Sequence, residues 1–170
     1  IRSVKSHGRP SGATYFDFQR FGLNCKMNDL EAALGLEGLA GFDEVFVRRK
    51  ELLHRLLEQT RALEEYCDFL VEEKHEKVAP HAFPLVLKDP ALDAAALYRF
   101  LEERGIQCKT LFGSLPTQHR AFAFLGHAPG SFPEAEYLGD NGLHFGCHQY
   151  LSEADIDYAA EVLDAYFRSR

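Results

Sequence analysis

Apolar residues recur at helical spacing in two stretches near the start of the chain. The first covers 29–39 and follows a polar residue, Asn28 or Asp29, that can serve as its N-cap. The second covers 42–63, where most other positions are Arg, Lys or Glu. Its apolar stripe comprises Val45, Phe46, Leu52, Leu53, Leu56 and Leu57. The pattern predicts two helices, the second long and amphipathic.

Beyond residue 65 the pattern changes to short apolar runs bounded by turn residues. Such runs are typical of strands, and they cover 67–72, 82–88, 106–112 and 143–147. Pro84 lacks a backbone N–H, so the second strand is expected at a sheet edge or to begin irregularly. Helical patterns separate the strands at about 92–101, 116–125 and 132–139.

A final helix is predicted after Ser152, which forms a variant capping box with Asp155. The apolar face of this helix comprises Ile156, Ala159, Ala160, Leu163, Tyr166 and Phe167. Strands with helices packed on one side make an α+β layer within the broader α/β class.

Composition and charge exclude several classes of protein. The 170 residues are 46% hydrophobic and 26% charged, as expected of a soluble intracellular protein with a real core. The net charge of −7 argues against a nucleic-acid surface. No apolar run approaches the roughly 20 residues of a membrane span. The cysteines are widely separated and without a C-x-x-C pair, which favours reduced thiols, a cytoplasmic location and no metal site.

A loop ahead of the first helix has residues that suit an anion. Gly22 and Asn24 tolerate backbone angles that other residues avoid, and Lys26 adds a positive charge. An amide donor, a cation and the N–H groups of a helix N-terminus together suit a phosphate. The alternative is an ordinary turn before a capped helix, which needs no ligand.

Three motifs follow one another in the first part of the chain: Gly22-Leu23-Asn24-Cys25-Lys26-Met27-Asn28-Asp29, Ala32-Ala33-Leu34-Gly35-Leu36 and Arg48-Arg49. In order and spacing they resemble the Gly-x-Asn-x-Arg/Lys-Met…Ala-Ala-x-Gly…Arg-Arg pattern of one enzyme family. The family is that of the DegT/DnrJ/EryC1/StrS sugar aminotransferases, pyridoxal-phosphate (PLP) enzymes that act on nucleotide sugars. Its Arg-x-x-x-His-Gly and its last strand, loop and helix resemble Arg2-Ser3…Ser6-His7-Gly8 and the segment 146–155.

The resemblance implies a fold and a division of the chain. It implies the C-terminal small domain of a fold-type I PLP enzyme, with a small, mostly antiparallel sheet and helices on one side. Residues 1–41 would then be the tail of the large cofactor domain, 42–64 a linking helix, and 65–170 the small domain. The implied full-length enzyme is a homodimer that binds PLP. It would transfer an amino group, usually from glutamate, to a keto-sugar nucleotide.

The resemblance also implies site residues. Asn24 matches the family's asparagine, which reaches the phosphate of the PLP bound by the partner subunit, so the dimer would share its active sites. Lys26 stands where many members have arginine. A lysine provides a point charge without a bidentate fork, so its contact with phosphate would be less directed. The related PLP-dependent 3-dehydrases carry a lysine here, and a surface lysine beside a helix is the alternative.

No catalytic residue is expected in this chain. The family's Schiff-base lysine precedes the segment that matches 2–8, so the resemblance predicts a C-terminal fragment that is inactive alone. Two alternatives remain: a nucleotide-sugar 3-dehydrase, in which histidine replaces that lysine, and a non-catalytic dimerisation or interaction module.

Three residues are predicted to contact the substrate. The segment 115–120 follows a strand where the family places a substrate-facing loop, so His119 and Arg120 are expected to meet sugar hydroxyls or the diphosphate. His148 follows the last strand, near the mouth of the family's site. A capped short helix with solvated charges is the alternative for the first two.

Two further groups of residues suggest a metal site and a diphosphate contact. His144, Cys147 and His148 suggest a metal, but strand alternation places His144 and Cys147 on opposite faces and a fourth ligand is missing. Cys147 is then a small buried residue of the core. His7 and Arg9 lie in a basic opening stretch that either touches a diphosphate or is a solvated loop.

Overall fold

The computed structural model describes residues 1–10, 18–89, 91–111 and 116–168. The chain divides into two compact units, Ile1–Asp43 and Glu44–Arg170. The helices are α1 (Asp29–Ala40), α2 (Phe42–Gln59), α3 (Ala94–Glu102), α4 (Pro133–Asn141) and α5 (Glu153–Arg168). The strands are β1 (Cys67–Phe69), β2 (Ala82–Leu87), β3 (Cys108–Thr110) and β4 (Gly142–Gly146). Short 3₁₀ helices cover Arg61–Glu65, Pro116–Gln118 and Arg120–Leu125.

Helix α1 belongs to the first unit and buries none of its residues. Its leucines remain exposed, with Leu30 at 72% and Leu34 at 68% of full exposure. The apolar spacing that predicts this helix is therefore real, but within the described residues it covers no core.

Helix α2 begins as predicted and ends earlier than its apolar pattern suggests. Leu52, Leu53 and Leu56 are buried in the second unit. The helix ends at Gln59, and the next residue, Thr60, is buried with its hydroxyl donating to Leu56 O at 2.8 Å. The chain then tightens into the 3₁₀ helix Arg61–Glu65, whose Leu63 still joins the core. The stripe continues through this change of helix type, which explains why one long helix was predicted.

The four strands of the second unit form an antiparallel sheet in the order β1-β2-β4-β3. Cys67 of β1 pairs with Leu87 of β2, and Phe83 of β2 pairs with Phe145 of β4. Cys108 of β3 pairs with the same Phe145 from the other side. The predicted α+β class with a small antiparallel sheet is confirmed.

Pro84 does not mark an edge strand, because β2 lies between β1 and β4. The ladder between β1 and β2 ends at the pair Phe69 and Leu85, one residue short of Pro84. A missing N–H at Pro84 therefore costs no bond to β1. The prediction of a sheet edge was therefore wrong: Pro84 lies at a position where β2 pairs with β4 alone.

Two edge strands are shorter than predicted. Strand β1 ends at Phe69 where the sequence suggests residue 72, and β3 begins at Cys108 where it suggests residue 106. Phe112, the predicted end of β3, lies outside the described residues. Strand length depends on where the neighbouring strand stops, and a single run of apolar residues does not contain that information.

The core lies between one face of the sheet and helices α2, α3 and α5. Phe83, Leu85 and Leu143 point into it from the strands and are at most 1% exposed. All six residues predicted for the inner face of α5 are buried. The predicted box at its N-terminus is present as well, because Ser152 N donates to Asp155 Oδ2 at 2.8 Å and Asp155 N to Ser152 Oγ at 3.2 Å.

Helix α4 packs against the second face of the sheet at the Gly142 end of β4. By alternation Gly142 faces away from its buried neighbour Leu143. A Cβ built on Gly142 would lie 2.4 Å from Leu138 O of α4. Tyr137 of the same helix donates its hydroxyl to Leu87 O at 2.7 Å. The Gly146 end of this face has no such helix among the described residues. No described helix is long and apolar enough to cross a membrane.

Candidate functional site

Two glycines bring the opening segment against the loop that carries Asn24. Gly8 has φ +82°, and a Cβ there would lie 1.7 Å from Arg20 O. A Cβ at Gly22 would lie 2.1 Å from Gly8 N. Any side chain at either position would separate the two backbones, and Gly8 also adopts a left-handed conformation that other residues avoid. The motif glycines are therefore required by close backbone approach.

Backbone hydrogen bonds hold Asn24 from both sides. Leu23 N donates to Val4 O at 2.7 Å, Cys25 N to Lys5 O at 2.9 Å, and Ser6 forms an isolated antiparallel bridge with Asn24. The Asn24 side chain is exposed and makes no hydrogen bond within the described part of the chain. The first unit thus presents an unused amide on a fixed turn, which is the arrangement a ligand contact requires.

The N-terminus of α1 offers an anion less than the sequence suggests. Asn28 Oδ1 accepts from Glu31 N and Glu31 Oε2 accepts from Asn28 N, both at 2.9 Å, so a complete capping box occupies these N–H groups. Asp29 adds a second acidic side chain in the first turn. An anion near this loop would rely on the amide of Asn24 and the exposed ammonium of Lys26.

The loop that carries His119 and Arg120 is organised around Glu136 of α4, which sequence reasoning missed. Gln118 Nε2 donates to Glu136 Oε1 at 2.8 Å, Gly130 N to Glu136 Oε2 at 2.7 Å, and Phe132 N to Glu136 Oε1 at 3.1 Å. These hydrogen bonds, that from Gln118 first, lower the pKa of Glu136. One carboxylate therefore fixes both ends of the segment 118–132.

His119 and Arg120 lie exposed at the start of a 3₁₀ helix. His119 is the N-cap residue of Arg120–Leu125, and its carbonyl accepts from Phe122 N at 2.8 Å. The structure thus shows a short 3₁₀ helix without a side-chain cap at this point, and the substrate role of the two residues stays a prediction. Leu115, the first residue of the predicted motif, lies outside the described residues.

His148 lies exposed in the turn between β4 and α5. Its ring is 6.1 Å from that of Tyr150, measured between centroids. It lines a cavity of about 340 Å³ together with Gln107, Phe145 and Asp155, among others. Hydrogen bonds from Ser152 lower the pKa of Asp155, and the charge of His148 adds to this effect.

Two arginines of α2 hold the turn that carries His148. Arg49 Nε donates to Gln149 Oε1 at 2.9 Å, and Arg48 donates to Leu151 O at 3.2 Å. The Cys147 thiol, fully buried as predicted, donates to Arg49 O at 3.8 Å. These are the two arginines of the recognised motif, and within the second unit they fix the turn against α2.

A further ion pair joins α2 to the start of α5. Arg55 Nε and Nη2 donate to the two carboxylate oxygens of Asp157 at 2.7 and 2.8 Å. Gln59 also donates to Asp157. The hydrogen bond from Arg55, followed by that from Gln59, lowers the pKa of Asp157 to about 2. A bidentate pair of this kind fixes orientation as well as distance, so α2 and α5 hold the His148 turn as one frame.

His144 lies on the second face of the sheet, beside two groups that the sequence does not connect with it. Its ring is 6.0 Å from that of His81, and it pairs across β3 with Lys109. Burial first, then the charges of His81 and Lys109, lower the pKa of His144. No group of three or more His, Cys, Asp or Glu side chains in the described ranges is arranged to hold a metal ion.

Comparisons with known proteins identify relatives over nearly the whole chain. Residues 1–164 match the DegT/DnrJ/EryC1/StrS aminotransferase family. A curated relative, dTDP-4-dehydro-2,6-dideoxy-D-glucose 3-dehydratase of Saccharopolyspora spinosa, is 28% identical over 150 residues. That alignment covers 87% of this chain and 32% of the relative, so the chain spans about a third of the length of that protein.

Solved structures agree with the fold. A DegT DnrJ EryC1 StrS aminotransferase from Brucella abortus superposes with a TM-score of 0.79 at 26% identity, over 97% of this chain and 42% of that one. E. coli GDP-4-keto-6-deoxy-D-mannose-3-dehydratase with bound hydrated PLP gives a TM-score of 0.74 at 24% identity, over 87% and 38%. The second similarity shows the fold alone.

Proposed function

Because the chain belongs to the DegT/DnrJ/EryC1/StrS aminotransferase family, we propose that the intact protein is a PLP-dependent aminotransferase acting on a keto-sugar nucleotide. The family match over residues 1–164 is the observation that carries the proposal. Glutamate is the proposed amino donor, and the cytoplasm the proposed location. PLP, when bound, supplies the electron sink that makes amino transfer feasible.

Asn24 and Lys26 are the residues of this chain that suit the cofactor phosphate. The Asn24 amide is exposed on a turn fixed by hydrogen bonds to Val4 and Lys5. Binding an oxyanion there would therefore not require the entropic cost of ordering a loop. Lys26, two residues further on, adds an exposed positive charge. In the proposed homodimer both residues serve the active site of the partner subunit.

His119, Arg120 and His148 are the proposed contacts to the sugar nucleotide. Each lies on a segment held by hydrogen bonds: the first two on the loop fixed by Glu136, the third on the turn fixed by Arg48 and Arg49. Their exposed imidazole and guanidinium groups can donate to hydroxyl or phosphate oxygens. The proposed role of these residues is orientation of the substrate; no proton transfer is assigned to them.

The second candidate function is a nucleotide-sugar 3-dehydrase. It is favoured by the 28% identity to the Saccharopolyspora spinosa dehydratase. It is also favoured by Lys26, because the related 3-dehydrases carry a lysine at this position. The Schiff-base position of the intact protein discriminates between the two, since lysine there means amino transfer and histidine means dehydration. A protein with neither residue would be a non-catalytic module.

Activity is tested with the intact protein, PLP, glutamate and a panel of 3-keto and 4-keto sugar nucleotides. Mass spectrometry of the products distinguishes the candidates, because amino transfer replaces a carbonyl oxygen by an amine and dehydration removes a hydroxyl. We expect an amino sugar and 2-oxoglutarate in equal amounts. A dehydrated sugar refutes the first proposal, and no turnover across the panel refutes both.

The shared site is tested by complementation. A variant lacking the Schiff-base residue is mixed with a second variant whose substitution at Asn24 abolishes activity, and subunit exchange is confirmed. A mixed dimer then regains one site with both groups intact, up to half the normal number. Asn24→Ala alone is expected to lower PLP affinity by roughly tenfold, as for a hydrogen bond to a charged group. Cys25→Ser, on the same turn, is the matched control and is expected to leave PLP affinity unchanged. In the complementation experiment, a mixture of the two inactive variants that stays inactive contradicts shared sites.

A further inference from the structure

The Gly146 end of the second sheet face carries His144 and Lys109, to which no substrate or cofactor contact has been assigned. Pro84, His144 and Lys109 lie side by side across β2, β4 and β3, and Ala82 and Gly146 form the next row. Three of these five residues, Pro84, Ala82 and Gly146, have small or absent side chains, so His144 and Lys109 rise from a low surface. The other end of this face is covered by α4 at Gly142.

Two more imidazoles border the same place. His81 directly precedes β2, and its ring centroid is 6.0 Å from that of His144. A Cβ built on Gly146 would point to this face and lie 3.6 Å from His148 Cδ2, so the His148 ring lies over Gly146. Three imidazoles and one ammonium therefore border one small area, although 67 residues separate the first from the last in sequence.

The electrostatics of this area favour an anion. His81 and Lys109 both act on His144: burial is the largest cause of its lowered pKa, and their charges add to it. His144 Nδ1 is buried and has no hydrogen-bond partner among the described residues. Because orphaned buried donors are rarer than orphaned acceptors, we expect the proton on Nε2.

Asp155 of α5, on the core side of the sheet, acts on His148 at the border of this area, but its oxygen already accepts from Ser152 N at 2.8 Å and Ser152 Oγ at 2.7 Å. Among the described residues, no salt bridge joins His81, His144 or Lys109 to a carboxylate. A metal is not the expected ligand, because the described residues contain no suitable group of ligands and a lysine ammonium repels cations.

We propose that His81, His144, His148 and Lys109 form a binding site for a phosphoryl oxyanion on the open end of the sheet. The chemistry is shared by free phosphate and by the diphosphate of a nucleotide sugar. The assignment of the diphosphate rests on the proposed function; the binding of phosphate does not. Burial and the neighbouring charges hold the pKa of His144 below its ordinary value, and a bound oxyanion would raise that pKa.

The test uses the intact protein with ¹³C-labelled histidine imidazoles, titrated with inorganic phosphate and with UDP. We expect the His144 signal to shift on addition of phosphate and its pKa to rise. Lys109→Gln is expected to weaken phosphate binding by about tenfold, as for loss of one charge-assisted hydrogen bond. His144→Gln is the second variant. Its side chain retains a donor but cannot take up a proton, so the part of the pH dependence of phosphate binding that comes from the His144 imidazole is lost.

Matched controls come from exposed residues of the same unit. Lys74→Gln, in the loop between β1 and β2, and His127→Asn, before α4, are expected to bind phosphate as the unmodified protein does. Equal weakening by Lys74→Gln and Lys109→Gln, or an unmoved His144 signal, overturns the site. If UDP binding also falls with Lys109→Gln, the diphosphate is the ligand; if only phosphate binding falls, the site stands and its assignment to substrate fails. A protein that binds phosphate here yet never turns over sugar nucleotides refutes the proposed function alone.

Discussion

Replacing Gly142 by alanine should loosen the contact between β4 and α4, whereas the same change at Gly146 should not. At Gly142 the new Cβ would lie 2.4 Å from Leu138 O and 2.4 Å from Leu111 Cδ1. A carbon–oxygen contact needs about 3.3 Å, so the helix and the strand must separate by roughly 1 Å. At Gly146 the nearest atom is His148 Cδ2 at 3.6 Å, which is an ordinary contact.

The two substitutions therefore change the free energy of unfolding in opposite directions. Overpacking of this kind costs about 1–3 kcal/mol. Alanine at Gly146 is expected to stabilise by up to about 1 kcal/mol, because it restricts the unfolded chain without a clash. The difference bears on the proposed substrate contacts, since α4 carries Glu136, which holds the loop bearing His119.

Native-state hydrogen exchange measures the effect locally, which suits a protein with more than one unit. Leu111 N donates to Gly142 O at 3.0 Å, so its amide reports directly on opening of this end of the sheet. In Gly142→Ala we expect exchange about 5–150-fold faster, the equivalent of 1–3 kcal/mol. Unchanged exchange in both variants, or faster exchange in Gly146→Ala, refutes the argument from close approach.

Two further predictions concern titrating groups. Iodoacetamide at pH 8 should label the exposed Cys25 rapidly and the other three cysteines only after unfolding. The reason is burial, which raises the pKa of the Cys67 thiol to about 12 and also raises the pKa of Cys108 and Cys147. Labelling of all four cysteines at similar rates in the folded protein would contradict this. Asp157, with a pKa of about 2 beside Arg55, stabilises the fold fully above pH 4 and loses this contribution as the pH falls toward 2. Asp157→Asn should remove that part of the acid dependence in a pH series of urea midpoints, and an unchanged dependence would show that the pair contributes nothing.

Local signals in the sequence predict much of the fold. The face of α5 and its Ser152 box follow from residues close together in the chain, and both are confirmed. The ends of β1 and β3 and the inner position of β2 depend on partner strands, so the sequence alone does not determine them. Pro84 shows the difference, because its missing N–H is local whereas the strand's place in the sheet is not.

The candidate site divides in the same way. Gly22 and Asn24 were identified from a contiguous motif, and their roles toward a ligand stay predictions. Glu136 holds both ends of the segment 118–132. It was missed because a glutamate in the first turn of a helix has no distinguishing pattern in the sequence. His81 and Lys109 meet His144 only through the register of three strands, so no spacing in the sequence connects them.

The sheet of the second unit ends in two very short strands, and this affects the behaviour of the protein at high concentration. Each edge strand has three residues with a charge in the middle, Asp68 in β1 and Lys109 in β3. Short, charged edges resist pairing with the edge of another molecule, which is the first step of β-aggregation. Lys109 would then protect solubility in addition to attracting an anion, because a neutral residue there no longer repels the edge of a second copy of the sheet.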